Sequence, residues 1–180
     1  MKTIAIIIAL TIVSIVAFSL AGSFINQTTT DVTTSSVTNA STITVTISGA
    51  VTKGGTYVLN TGSVLQDLIA AADGATSNAD TLAYNVDYAL KNKGSYYIAP
   101  LYDNSNTCAT TPIQKVNINS GSESDLVDIG GFGKAAAQSI ASYRLSHVFQ
   151  AIEEIKDVSG IGDATFRAVR DRITLRDAAS

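Results

Sequence analysis

Two short stretches near the C-terminal end hold the residues best suited to chemistry. Gly131-Phe132-Gly133-Lys134 and Gly160-Ile161-Gly162 each set one apolar residue between two glycines, just ahead of an expected helix. The central Phe132 or Ile161 is expected to point inward and lock two helices together. The flanking glycines allow positive φ and remove Cβ from the outer surface. What remains is bare backbone N–H at the positive end of a helix dipole, a site for an anion such as a phosphate oxygen. A contact of that kind reads no base. Lys134 directly follows the first turn, Arg167, Arg170 and Arg176 fall on the expected last helix, and Arg144 ends the helix before it. The expected binding set is therefore Gly131, Phe132, Gly133 and Lys134 in the first copy, and Gly160, Ile161, Gly162, Arg167 and Arg170 in the second.

Other chemistry finds little material. The 180 residues contain one His and one Cys, which excludes a poly-His metal site, a Cys-rich zinc site and a disulfide scaffold. No catalytic residue, metal or cofactor is expected. Gly131-x-Gly133-x-x-Ala136 fits a loose dinucleotide fingerprint, but a short helix precedes it where a βαβ unit would need a strand. Asp128 and Ala135 depart from a P-loop. His147 reads as a packing or surface residue, and no carboxylate cluster has the spacing of a nuclease metal site. A net charge of −3 excludes a strongly basic polyanion binder. Residues 115–180 carry eight Lys and Arg against nine Asp and Glu, so any cationic patch there must be local.

Both turns belong to an internal repeat with a period of 29 residues. Leu126, Ile129, Phe132, Ala137 and Ile140 recur as Ile155, Val158, Ile161, Phe166 and Val169. Each copy reads as a short helix, a Gly-x-Gly turn and a longer helix. In copy one, Ser122 and Asp125 approximate a capping box for a helix to about Ile129, and a second helix is expected over Lys134 to Ser146. In copy two the short helix is expected over Ile152 to Val158, with Asp163 capping a helix to about Leu175. Two copies suggest a paired unit with one shared core.

Upstream, Thr42-Ile43-Thr44-Val45-Thr46-Ile47-Ser48 alternates as a strand with one buried face. A second strand is expected over Thr56 to Leu59 and a third over Tyr96 to Ile98. Between them Ser63 and Gln66 suggest a capping box for a helix carrying Val64, Leu65, Leu68, Ile69 and Ala72 on one stripe, closed by Gly74. Tyr84, Tyr88, Tyr96 and Tyr97 read as half-buried aromatics, with ligand stacking as the other reading. Residues 102–114 read as a linker holding Cys108, either an intermolecular disulfide partner or an incidental free thiol.

The N-terminus accounts for a mean hydropathy of +0.23 in a chain only 15% charged. Ile4 to Ala21 is apolar and uncharged, near the ~20 residues that cross a bilayer. Lys2 places the N-terminus inside and the rest outside. A cleaved signal peptide is the other reading. Residues 26–41, rich in Thr and Ser, read as a spacer without a core.

Two family resemblances follow. Residues 45–59, 62–74 and 84–100 resemble an SLBB domain, a β-grasp-type module of exported proteins. Residues 116–144 and 149–173 resemble tandem helix-hairpin-helix motifs, and with the entry run Val116-Asn117-Ile118-Asn119 the chain resembles the ComEA family of competence DNA receptors. The resemblance implies an α+β organisation: an anchor or signal peptide over 1–25, a linker over 26–41, an SLBB-like domain over 42–101, a linker over 102–114 and an all-α tandem helix-hairpin-helix domain over 115–176. It implies a non-enzymatic, single-pass protein of the cell membrane with its C-terminal domains outside. Such a protein binds double-stranded DNA without sequence preference and passes it to an uptake channel protein. Self-association through the SLBB-like domain is a further implied contact. The alternative is an exported envelope-assembly or glycan-binding protein in which the hairpins are structural. Two departures bear on the site: Gly130 stands where the family commonly has Pro, and Asp163 stands where copy one has Lys134.

Overall fold

Alternation of apolar and polar residues from Thr42 makes one face of a strand buriable, and that strand organises the N-terminal half of the fold. The structure is a computed structural model that describes residues 41–103 and 111–178. Strand β1 (Thr42–Gly49) buries Ile43, Val45 and Ile47. It pairs antiparallel with β2 (Gly55–Asn60) and parallel with β3 (Ser95–Ile98), giving the order β2-β1-β3. Helix α1 (Leu65–Ala71) packs Leu65 and Leu68 against this sheet together with Tyr96 and Ile98. Its N-cap is Val64, not Ser63, because the Asp67 carboxylate accepts from the Val64 amide at 2.9 Å. Tyr96 is buried and Tyr84 and Tyr88 pack on the same core, so these rings serve packing.

The C-terminal half builds a second core around the repeat. A two-residue strand β4 (Val116–Asn117) opens it, followed by α2 (Glu123–Asp128), α3 (Lys134–Tyr143), a 3-10 helix (Ile152–Asp157), α4 (Asp163–Val169) and β5 (Ile173–Thr174). The expected helix to Leu175 ends at Val169 because Ile173–Thr174 pairs in parallel with Val116–Asn117. Helix α3 stops at Tyr143, short of the expected Ser146. Leu126, Ile129, Phe132, Ala137 and Ile140 all enter the core, as do their counterparts Ile155, Val158, Ile161, Phe166 and Val169.

Asn119 clasps this half together. Its side chain accepts from the Phe149 amide at 2.9 Å and donates to the Phe149 and Leu175 carbonyls, each at 3.0 Å. The entry asparagines are thus internal ties.

The two halves are joined by more than sequence. Lys115 Nζ lies 2.7 Å from Asp80, with both side chains at least nine-tenths buried (7% and 5% exposed). The same ammonium donates to the Pro100 carbonyl at 2.7 Å. The Leu175 amide donates to Leu82, and Arg176 donates to the Thr81 and Tyr84 carbonyls. Residues 1–40, with the apolar run and the Thr/Ser tract, lie outside the described residues, as does Cys108. Among the described residues no helix is long and apolar enough to cross a membrane.

Candidate functional site

The first hairpin is α2, the turn 130–133 and α3. Ser122 caps α2: its hydroxyl accepts from the Asp125 amide at 3.1 Å, and the Asp125 carboxylate accepts from the Ser122 amide at 3.0 Å. Those hydrogen bonds hold the Asp125 carboxyl below its ordinary range. The second hairpin is the 3-10 helix, the turn 159–162 and α4.

The two glycines of each turn do different work. Gly131 and Gly160 have φ of +98° and +86° and reverse the chain. Gly133 and Gly162 are extended, with φ of −80° and −106°, and serve as N-caps of α3 and α4. Positive φ is therefore needed at the first glycine of each pair and not at both. At Gly131 a Cβ would also meet Val169 Cγ1 at 2.6 Å, because the turn of one hairpin lies on the second helix of the other. At Gly133 and Gly162 an added Cβ would meet nothing within 4 Å. Phe132 and Ile161 are buried, so they hold the turns and have no surface to offer a ligand.

A glycine N-cap has no side chain to satisfy the first-turn amides, and no side chain caps either helix. Residues 133–135 and 162–164 are exposed. Both turns thus place uncapped first-turn N–H groups in exposed residues. A shallow concavity lined by Gln138, Ser139 and Ser142 of α3 and by Val158 and Ser159 runs between the first hairpin's long helix and the second turn.

The cations divide into two groups. Arg144 donates to the Gly121 and Ile118 carbonyls, at 2.6 and 3.3 Å, and Arg172 to the Ile129 carbonyl at 2.6 Å. With Arg176 on Thr81 and Tyr84, these three are structural, which removes Arg144 and Arg176 from the expected patch. Lys134 and Arg167 are exposed and make no hydrogen bond or ion pair among the described residues. Arg170 stacks its guanidinium 3.8 Å above the Tyr97 ring. Lys156, which sequence reasoning passed over, lies 3.5 Å from Asp163 and 5.4 Å from the Phe166 ring centroid. The carboxylate that replaces Lys134 in the second copy is therefore paired with a cation from the opposite helix of its own hairpin. The only signal for this was the i, i+7 spacing of Lys156 and Asp163 across the turn.

His147 stacks on Tyr143, with centroids 4.6 Å apart, and shares a 2.8 Å hydrogen bond with Ser146. Among the described residues no three His, Cys, Asp or Glu side chains group as metal ligands would. The arrangement brings together two uncapped helix starts and exposed cations, groups of the kind that complement an anion.

Comparison with known proteins agrees with that geometry. Residues 111–174 match the helix-hairpin-helix motif family. The chain is similar to ComE operon protein 1 of Bacillus subtilis (strain 168), 30% identical over 151 residues, covering 75% of this chain and 71% of that protein.

Proposed function

Because this chain belongs to the ComEA family of competence proteins, we propose that it is a receptor for double-stranded DNA in natural transformation. The single observation that carries the reading is the pair of glycine-capped helix starts, Gly133 and Gly162, whose first-turn amides have no side-chain cap and belong to exposed residues. Phosphate oxygens complement such amides without reference to base sequence. Gly131, Phe132, Gly160 and Ile161 shape the turns. Gly133, Lys134 and Gly162 with Arg167 and Arg170 supply the contacts. The ten-residue α3 with Lys134 makes hairpin one the stronger half, and Lys156 offsets Asp163 at hairpin two.

The rest of the chain serves that grip. Residues 1–25 anchor it in the cell membrane with the C-terminal parts outside, and residues 26–41 give it reach of roughly 20–25 Å. Residues 42–101 form an SLBB-like module that supports self-association, residues 102–114 connect, and residues 115–176 bind the duplex. DNA passes from here to an uptake channel protein. The test is titration of the full-length chain with labelled duplexes of unrelated sequence across a salt series. Equal affinities are expected, with log affinity falling against log salt at a slope of about −3 to −4, as for ~3–5 neutralised phosphates. No binding at low salt overturns the reading.

A further inference from the structure

Among the arginines of the helical half, Arg170 is held in an unusual way. Its Nε is buried with no hydrogen-bond partner, and no acceptor among the described residues takes its terminal amino groups. What fixes it is the face of Tyr97, 3.8 Å away, on β3 of the sheet lobe. A guanidinium stacked on an aromatic face keeps its in-plane donors for another acceptor.

Tyr97 is itself locked at three points. Its hydroxyl donates to Asp171 at 2.6 Å, beside Arg170 at the end of α4. Its amide donates to Glu153 Oε1 at 2.6 Å, on the first helix of the same hairpin. Its ring lies against Gly49, where an added Cβ would come within 2.9 Å of a ring carbon. One residue of the sheet lobe thus grips both helices of hairpin two and carries the cation between them. Burial, then the Asp171 carboxylate, pushes the Tyr97 hydroxyl up, so it stays a donor.

We infer that Tyr97 is a positioning residue for DNA binding: its ring holds Arg170 ready as a phosphate contact of hairpin two, so the sheet lobe contributes to affinity without touching DNA. This rests on the proposed DNA-binding reading. An arginine free in solvent loses side-chain entropy when it engages a phosphate, and the stack removes most of that cost beforehand.

The experiment compares full-length wild type, Tyr97→Leu, Tyr97→Phe, Arg170→Ala and the Tyr97→Leu/Arg170→Ala double variant by duplex titration over a salt series, with thermal melting of each. Arg170→Ala is expected to weaken binding roughly three- to tenfold and to flatten the salt slope by about one, as for one lost phosphate contact. Tyr97→Leu is expected to weaken binding in the same direction, Tyr97→Phe to recover most of the loss because it keeps the ring, and the double variant to bind no more weakly than Arg170→Ala. A Tyr97→Leu chain that melts earlier yet binds with unchanged affinity and slope overturns the inference, as do fully additive losses in the double variant. If Tyr97→Leu does not fold, unchanged affinity and slope in Arg170→Ala overturns it alone. A wild type that binds no duplex fails the DNA-binding reading itself, which none of the variant outcomes would do.

Discussion

Arg172 Nη1 donates to the carbonyl of Ile129 at 2.6 Å, and so ties the exit of the second hairpin to the entrance of the first turn. Its guanidinium also lies 3.4 Å from the position a Cβ would take at Gly130. Ile129 ends α2, where helix carbonyls lack intrahelical partners, and the arginine satisfies one of them with a charge-assisted bond. The two hairpins are therefore linked by a side chain as well as by the shared core. Arg172→Met keeps the apolar stem and removes the donor. It is expected to lower stability by about 1–3 kcal/mol, the usual range for losing such a bond. Denaturant unfolding reads this, and an unchanged midpoint would show that Ile129 is equally well served by water.

The division of labour between glycines predicts opposite outcomes at neighbouring positions. Gly131→Ala puts a Cβ against Val169 at 2.6 Å in a backbone with φ of +98°, so it is expected to destabilise the fold. A Cβ at Gly133 meets no atom within 4 Å and the backbone there is an extended N-cap, so Gly133→Asp is expected to raise stability by a few tenths of a kcal/mol, roughly the gain of Asp over Gly at a cap. The same carboxylate occupies the amides of α3 and repels phosphate. Duplex affinity is expected to fall roughly tenfold, about 1.4 kcal/mol. Melting and titration on one preparation separate the two effects. A Gly133→Asp chain that is as stable as wild type and binds as tightly would move the contact away from this turn.

The repeat was legible because its apolar residues recur at fixed spacing and every one of the ten is buried, from Leu126 to Val169. The strand pattern from Ile43 to Ile47 was legible for the same reason, since alternation is a local signal of which face is buried. Interactions between distant segments leave no such mark. Ile173–Thr174 looked like the end of a helix because its β partner, Val116–Asn117, lies at the other end of the helical half. Arg144 and Arg176 looked like members of a cationic patch, and only the fold shows their guanidinium groups on backbone carbonyls. The roles of Gly133 and Gly162 could not be told from those of Gly131 and Gly160, since composition alone does not report φ. Residues 102–114 read as a separator, yet Tyr102 exchanges hydrogen bonds with Asn78 at 2.8 and 3.1 Å, and Lys115 just beyond is fixed in a buried pair.

That buried pair makes a sharp prediction. The Asp80 and Lys115 side chains are each more than nine-tenths buried, and each has further bonds: Asp80 accepts from the Leu82 amide at 3.0 Å, and Lys115 donates to Pro100 at 2.7 Å. Asp80→Asn leaves an ammonium buried beside a neutral group. A loss of about 3–5 kcal/mol is expected, the range seen when one partner of a buried pair is removed. Lys115→Met together with Asp80→Leu removes both charges and is expected to recover most of it. If Asp80→Asn unfolds at the wild-type denaturant midpoint, water reaches the pair and the joint between the halves is looser than described.

Glu153 gives the stability of the chain a pH dependence. Its carboxyl sits between the 3-10 helix and β3, and burial pushes it up to about 7, while the Tyr97 amide at 2.6 Å pulls in the other direction. Lys156 also lowers it, and Glu154 raises it further. Around it stand Tyr88, Lys91, Tyr96 and Asp157, which line the same cleft. In the unfolded chain the group titrates near the ordinary glutamate value of 4.5. The folded state therefore holds its proton more tightly than the unfolded state. Its contribution is fully present below the unfolded value, declines as pH rises through the interval up to about 7, and is gone above that. Glu153→Gln cannot ionise and still offers an oxygen to the Tyr97 amide. Unfolding midpoints measured from pH 4 to pH 8 are expected to fall for wild type relative to Glu153→Gln across that interval, so that the variant becomes the more stable of the two at neutral pH. Parallel curves for the two proteins would show that folding leaves the affinity of the Glu153 carboxyl for its proton unchanged, and would overturn the upward shift.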